Sequence, residues 1–134
     1  MSTFPLKIVT ADGLVFDGPA EEIIVRTITG DMAVLARHMN CVTPLGMGRA
    51  TIVIDGKKRY AACIGGMVSV VNGVVTLVPT TFEWAEDIDS KRAERSAERA
   101  KQTLADKSAN DVDMRMAEAR LKRALVRSSV AKSM

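Results

Sequence analysis

Apolar and polar positions follow two different rhythms along this chain, and the change falls near residue 88. Up to about residue 80 the rhythm is two. "LKIVTADGLVF" reads as a strand, a turn at Asp12-Gly13 and a second strand. "AEEIIVRTIT" alternates from Glu22 to Thr29 with one double apolar step, Ile23-Ile24, which marks either a bulge or a strand with two apolar faces. "GRATIVIDGKKRYAACIG" is a hairpin turned at Asp55-Gly56, and "MVSVVNGVVTLVP" is another, turned at Asn72-Gly73. Asn-Gly suits a type I′ turn because both central residues need positive φ. Many short strands with a turn about every eight to twelve residues imply a sandwich or small barrel, not a parallel sheet.

Beyond residue 87 there is no glycine or proline, and the rhythm becomes helical. Ala93, Ala97, Ala100 and Leu104 recur at spacings of four, three and four and form one apolar stripe. "ADKSAND" interrupts it, with Asn110 or Asp111 suited to cap a new helix. Met114, Ala117, Leu121 and Ala124 then repeat the pattern. The fold class is β + α: an N-terminal antiparallel β-sandwich over residues 1–86 and a C-terminal antiparallel two-helix hairpin over residues 87–134. Stripes made largely of alanine bury little area, so at about 25 cal/mol per Å² the hairpin is marginal alone. It needs the sandwich, a ligand or a partner.

Charge separates the same two regions. Residues 1–87 carry seven Lys/Arg against nine Asp/Glu, a net −2, and residues 88–134 carry twelve against seven, a net +5. The basic character belongs to the hairpin alone and draws it to an anionic partner. Hydrophobic residues make up 47% of the 134, enough for a core, but aromatic residues are only 4%, which argues against base-stacking platforms. There is no apolar run long enough to span a bilayer and no secretory pattern in "MSTFPLKIVTADG". Cys41, Cys63 and the lone His38 are too few for a zinc site, and both cysteines read as reduced and structural, in keeping with a cytosolic setting.

Catalytic patterns are missing. The chain has no GxxxxGK[ST] phosphate loop, no GxSxG, and no second histidine to partner a cysteine. The arginines say more. Arg92, Arg95 and Arg99 share one face of the first helix, and Arg120, Arg123 and Arg127 share one face of the second. In an antiparallel pair, Arg92 and Arg99 can face Arg123 and Arg127. Such a cluster repels itself without an anion or flanking carboxylates, and guanidinium forks match phosphate oxygens. A merely solvated basic face is the plain alternative. Nucleic acid is a third possibility, weakly signalled by one short hairpin without aromatic interleaving.

The order and spacing of "IVTADGLVFDG", "VRTITGDMAVLARH", "PLGMG", "CIGGMVSVVNGVVTLV", "AEDIDSKRAE" and "AEARLKRALVR" carry a family resemblance over essentially the whole chain. It resembles the epsilon subunit of bacterial F-type, proton-translocating ATP synthase. The resemblance implies the same sandwich and helical hairpin. It also implies a non-catalytic central-stalk subunit that couples proton flow to ATP synthesis, held peripherally on the cytoplasmic face of the cell membrane by its complex. Its implied partners are the gamma subunit and the c-ring, and, through the C-terminal helices, the catalytic beta and alpha subunits. The hairpin of such subunits can extend along gamma and block ATP hydrolysis.

No cofactor is required by this resemblance, but ATP, with or without magnesium, is implied as a regulatory ligand of the folded hairpin. Its motif, Ile/Leu-Asp-x-x-Arg-Ala, is complete at Ile88, Asp89, Arg92 and Ala93. Glu83 matches a position near the adenine, Arg99 a phosphate-side arginine, and Arg123 and Arg127 two further arginines. Asp89 can accept from the adenine amino group or from backbone N–H groups. Met116 stands where the family has one more arginine. Asp31 and His38 are the implied c-ring contacts. Ala33 and Arg37 replace glycines, and Met39 and Asn40 replace a small residue and proline. A stalk-binding module without nucleotide, inhibiting only through its basic helices, is the alternative.

Overall fold

The computed structural model describes residues 2–106, 108 and 110–133. These divide into two compact units, Met1–Trp84 and Ala85–Met134.

The first unit is a β-sandwich of ten strands: β1 Phe4–Thr10, β2 Gly13–Ala20, β3 Glu22–Thr27, β4 Gly30–Leu35, β5 Cys41–Pro44, β6 Met47–Ile54, β7 Lys57–Ile64, β8 Met67–Val71, β9 Val74–Val78 and β10 Thr81–Trp84. One sheet runs in the order β2-β1-β9-β8-β5 and the other β10-β7-β6-β3-β4. Among the described residues every strand pairing is antiparallel except β1 with β9, which lie parallel with Leu6 opposite Val75 and Ile8 opposite Leu77. The period of two fixes which face of a strand is buried but says nothing about direction, so this pair was invisible to it. The core alternates as expected: Phe4, Leu6 and Ile8 from β1, Val68 and Val70 from β8, and Val75 and Leu77 from β9 meet Ile23, Val25, Val34 and Ile52 of the second sheet.

Two hairpins turn at the expected residues. Asp55 and Gly56, and Asn72 and Gly73, all take positive φ between 50° and 81°, as a type I′ turn requires. The first hairpin turns one residue earlier than expected. Thr10 pairs with Gly13, the two-residue connection is Ala11-Asp12, and the register slips between Ile8 and Val9. The double apolar step at Ile23-Ile24 is not a bulge. Pairing with β4 runs without interruption from Glu22 to Thr27, Ile23 points into the core, and Ile24 is half-buried on the opposite face.

The second unit holds a 3₁₀ turn, Ala85–Asp87, then α1 Ser90–Ala105 and α2 Asp111–Ala131. Asp89 caps α1, its carboxylate accepting from the Arg92 N–H at 3.0 Å. Of the two candidate caps for α2, Asn110 takes the role, its side chain accepting from the Asp113 N–H at 2.8 Å. Asp111 is the first residue of the helix, where a carboxylate suits the helix dipole. The "ADKSAND" interruption includes Lys107 and Ala109, which lie outside the described residues. The helices pack through alanine: Ala93, Ala97 and Ala100 are buried on α1, Ala117 and Ala124 on α2. Leu104, Met114 and Leu121 are only half-buried at the edges of these stripes.

Candidate functional site

On the hairpin, the run Ile88 to Ala93 forms the entry to α1. Ile88 is half-buried and its N–H donates to the Ala85 carbonyl at 3.3 Å. Asp89 spends one carboxylate oxygen on the cap, and the Ala93 N–H closes the first turn onto the Asp89 carbonyl at 3.0 Å. Ala93 is fully buried, which is why a small residue is needed there. Arg92 is exposed. The sequence left Asp89 between an adenine contact and a backbone contact; the backbone contact is present.

Small seam residues let α1 and α2 approach, and a cleft of about 210 Å³ remains along one flank. Its lining is Ser96, Arg99, Ala100 and Thr103 from α1 with Ala117 and Arg120 from α2. Arg99 shares this cleft with Arg120; Arg123 and Arg127, which the sequence lets face Arg92 and Arg99, are not among its lining residues. Antiparallel geometry explains this. Ala100 sits at the level of Ala117, so residues earlier on α1 meet residues later on α2. Arg92, two turns before Arg99, belongs at the level of Arg123 and Arg127. Arg123 is exposed and Arg127 half-buried. Met116 is 49% exposed, one turn before Arg120. The spacing pattern had placed Arg120 on the right face, but only the helix–helix level shows what it opposes.

Glu83 lies in the other compact unit, on β10, half-buried and paired with Ala62 of β7. Arg49 of β6 is the other neighbour of Ala62, so Glu83, Ala62 and Arg49 form one row across three strands. Arg49 also stands 4.8 Å from the centre of the Tyr60 ring, and Arg59 stacks on Trp84 at 3.7 Å. These contacts depend on strand register, which the sequence pattern did not supply.

Asp31 and His38, the two expected contact residues, are not brought together. Asp31 is the second residue of β4, while His38 follows its end; the four-residue step along the strand alone separates Asp31 from Leu35 by roughly 13 Å. Asp31 accepts from Arg26 at 3.4 Å in an exposed pair. Arg26 lies across Gly48, where an added Cβ would stand 2.6 Å from the Arg26 Cβ. His38 is half-buried, and its Nδ1 is 2.7 Å from the Met39 carbonyl. A carbonyl only accepts, so Nδ1 carries the proton and the Nε2 edge is left for a partner. Arg37, where the family pattern has glycine, has φ +70, the left-handed conformation that glycine adopts without strain.

Of the cysteines, Cys41 is half-buried and Cys63 buried in the core, where desolvation pushes its thiol from 9.0 up to about 12. At Asp106, the Ser108 N–H and hydroxyl both donate to the carboxylate and hold it below its ordinary range. No group of metal-ligating side chains and no helix able to cross a membrane occurs among the described residues.

Residues 3–85 match the family model of the ATP synthase delta/epsilon chain beta-sandwich domain, and residues 86–132 that of the delta/epsilon chain long alpha-helix domain. The chain belongs to the ATP synthase delta/epsilon family. Its curated relatives are epsilon chains. That of Shouchella clausii is 38% identical over 98% of this chain and 97% of its own, and that of Bacillus cytotoxicus 39% identical over 98% of each. Among solved structures, a chain of the Euglena gracilis mitochondrial ATP synthase superposes with a TM-score of 0.85 at 24% identity, covering 96% of this chain and 81% of that one. A chain of the Tetrahymena thermophila mitochondrial ATP synthase central stalk and c-ring does so at 0.67 and 12%, covering 95% of each. At those identities the superpositions establish the shared fold and nothing finer.

Proposed function

We propose that this epsilon-family chain is a non-catalytic central-stalk subunit of an F-type ATP synthase. It couples ion flow to ATP synthesis and restrains ATP hydrolysis through its C-terminal helices, and ATP stabilises the folded hairpin. Its sandwich binds gamma and the c-ring, on the cytoplasmic face of the membrane. Support for a docked sandwich comes from the outer face of the β5–β8–β9 sheet. Val42, Met67, Val71, Val74 and Val78 are all 40% or more exposed there. Register sets Met67 beside Val78 and Val71 beside Val74 on that face. Exposed apolar side chains grouped in this way mark an interaction surface.

The observation that carries the regulatory reading is the hairpin itself: an intact Ile88-Asp89-x-x-Arg92-Ala93 entry leading to a basic cleft between alanine-packed helices. A ligand that binds only the folded form stabilises it by RT ln(1 + [L]/Kd), about 2.7 kcal/mol at a hundredfold excess, enough to shift a marginal hairpin. Isothermal titration of the chain with ATP tests this. Binding that Arg92→Ala and Arg123→Ala weaken supports the reading; millimolar ATP giving neither heat nor a thermal shift refutes it.

One observation favours a second reading, in which the basic helices inhibit by meeting acidic protein surface without nucleotide. Met116 removes a cation that the family pattern supplies, and its side chain is exposed. That reading expects salt-sensitive inhibition of the assembled enzyme, unchanged by ATP and relieved by deleting residues 88–134.

A further inference from the structure

The parallel pair of β1 and β9 starts at Leu6 opposite Val75, and Pro5, with no N–H to extend the ladder, precedes it. An open groove of about 620 Å³ remains at that end of the sandwich, within the usual 300–1,000 Å³ of binding clefts. Pro5 and Val74 give it apolar wall and Ser2 and Thr3 add hydroxyls; Arg37 is the only charged residue among its described lining. Two of its sides are tied together. The Asn72 N–H donates to the Asn40 side-chain oxygen at 2.8 Å, which fixes the β8–β9 turn against the chain that follows Arg37. Arg37 is exposed and has no ion-pair partner among the described residues. It also keeps φ +70, at a backbone cost that glycine would avoid. With no ionic partner inside the fold, the guanidinium does not offset that cost. Backbone outliers of this kind collect at binding sites.

We propose that this groove seats a carboxylate-bearing, otherwise apolar segment of the protein that covers the outer face of the β5–β8–β9 sheet, and that Arg37 selects the carboxylate. Continuity with that face points to the occupant. Val74 lines the groove and is also exposed on the sheet face, where it pairs with the exposed Val71. Met39, two residues beyond Arg37, is the most exposed large apolar side chain among the described residues, at 76%. A partner lying on the valines reaches the groove at Val74. Charge complementarity sets the rest. A guanidinium fork matches a carboxylate with two parallel hydrogen bonds, and no other charge in the groove competes for it. The apolar neighbours of that acid lie on Pro5 and Val74. The identity of the partner rests on the docking of the sandwich proposed above; the groove and its cation do not.

The test measures, at low and at high salt, how tightly the full chain binds an ATP synthase complex stripped of it. Arg37→Gly is expected to weaken binding roughly tenfold, the effect of losing a charge-assisted bidentate contact, and Arg37→Glu to weaken it further. Arg37→Lys keeps the charge without the fork and falls between wild type and glycine. Arg37→Gly relieves the backbone as it removes the charge, so it carries the test if urea unfolding shows that Arg37→Glu is unstable. Wild-type affinity falls with salt more steeply than that of Arg37→Gly, a difference that a purely structural role would not produce. Lys57→Glu reverses an exposed charge outside the groove and leaves the affinity unchanged. Equal losses in Lys57→Glu and Arg37→Glu mean diffuse attraction and overturn the groove. Val42→Asp and Val78→Asp probe the sheet face alone. If they weaken binding and the Arg37 variants do not, the groove is overturned and the docked face stands. If the Arg37 variants weaken binding and these two do not, the groove stands as a docking site and the reading of the valine face falls. If none of them weakens binding, both fall.

Discussion

Arg37 and Cys63 are the residues whose local chemistry makes the sharpest demands. Arg37 holds φ +70, a region that costs a residue with a Cβ roughly 1 kcal/mol and glycine almost nothing. Glycine gives part of that back through its freer unfolded chain, so Arg37→Gly should stabilise the sandwich by only about 0.5 kcal/mol. Arg37→Val, with a branched Cβ, should destabilise it by more than 1 kcal/mol. Urea unfolding of the three chains measures both. Cys63 makes a pH prediction. Its thiol is raised from 9.0 to about 12 in the folded state, so above pH 9 the unfolded chain has released a proton that the folded chain retains. Stability from this group is complete below pH 9 and lost as pH rises towards 12, by about 1.4 kcal/mol per pH unit. Other groups titrate in that window, so the comparison is with Cys63→Ala, whose stability should fall less steeply over the same range. Parallel curves for the two chains would mean the thiol is not held neutral by burial.

At the scale of elements, the start of α1 joins two roles in one side chain. Asp89 caps the helix, and Asp→Ala at such a position costs about 1 kcal/mol, whereas asparagine caps as well as aspartate. Asp89→Asn should therefore keep the helical circular dichroism of the parent, and Asp89→Ala should lose part of it. If ATP affinity falls in both, the carboxylate serves the ligand as well as the cap; if it falls only with alanine, the cap is its whole contribution. The sequence made this element legible because capping and a 3.6 period are local. The Asn-Gly and Asp-Gly hairpins were legible for the same reason. The parallel β1–β9 pair, the early turn at Ala11-Asp12 and the meeting of Arg99 with Arg120 were not. Each depends on which residue of one element lies level with which residue of another. That level is fixed by packing between segments far apart in the chain, and no short window contains it.

The whole molecule consists of two units held together by different means. The sandwich buries Leu6, Ile8, Ile23, Ile52 and Leu77 almost completely, side chains each worth about 1.5–3 kcal/mol of burial. The hairpin buries mainly alanines, each with a single methyl group worth nearer 0.8 kcal/mol. Residues 88–134, which hold both helices, also carry a net +5, so their own charges oppose compaction, while residues 1–87, at −2, are nearly balanced. Local opening should therefore cost far less in α1 and α2 than in the central strands. In native-state hydrogen exchange, amides of β1, β6, β8 and β9 should form the slowest class, with those of α1 and α2 at least tenfold faster. Truncation after residue 87 should leave the slow class unchanged, because its protection comes from the two-sheet core. ATP at a hundredfold excess over Kd should slow exchange of the helices up to about a hundredfold and leave the strands alone, since the ligand acts only on the opening it opposes. Helical amides exchanging with the slow class in the absence of ligand would show that an alanine seam suffices. The hairpin would then have no marginal equilibrium for a ligand to shift.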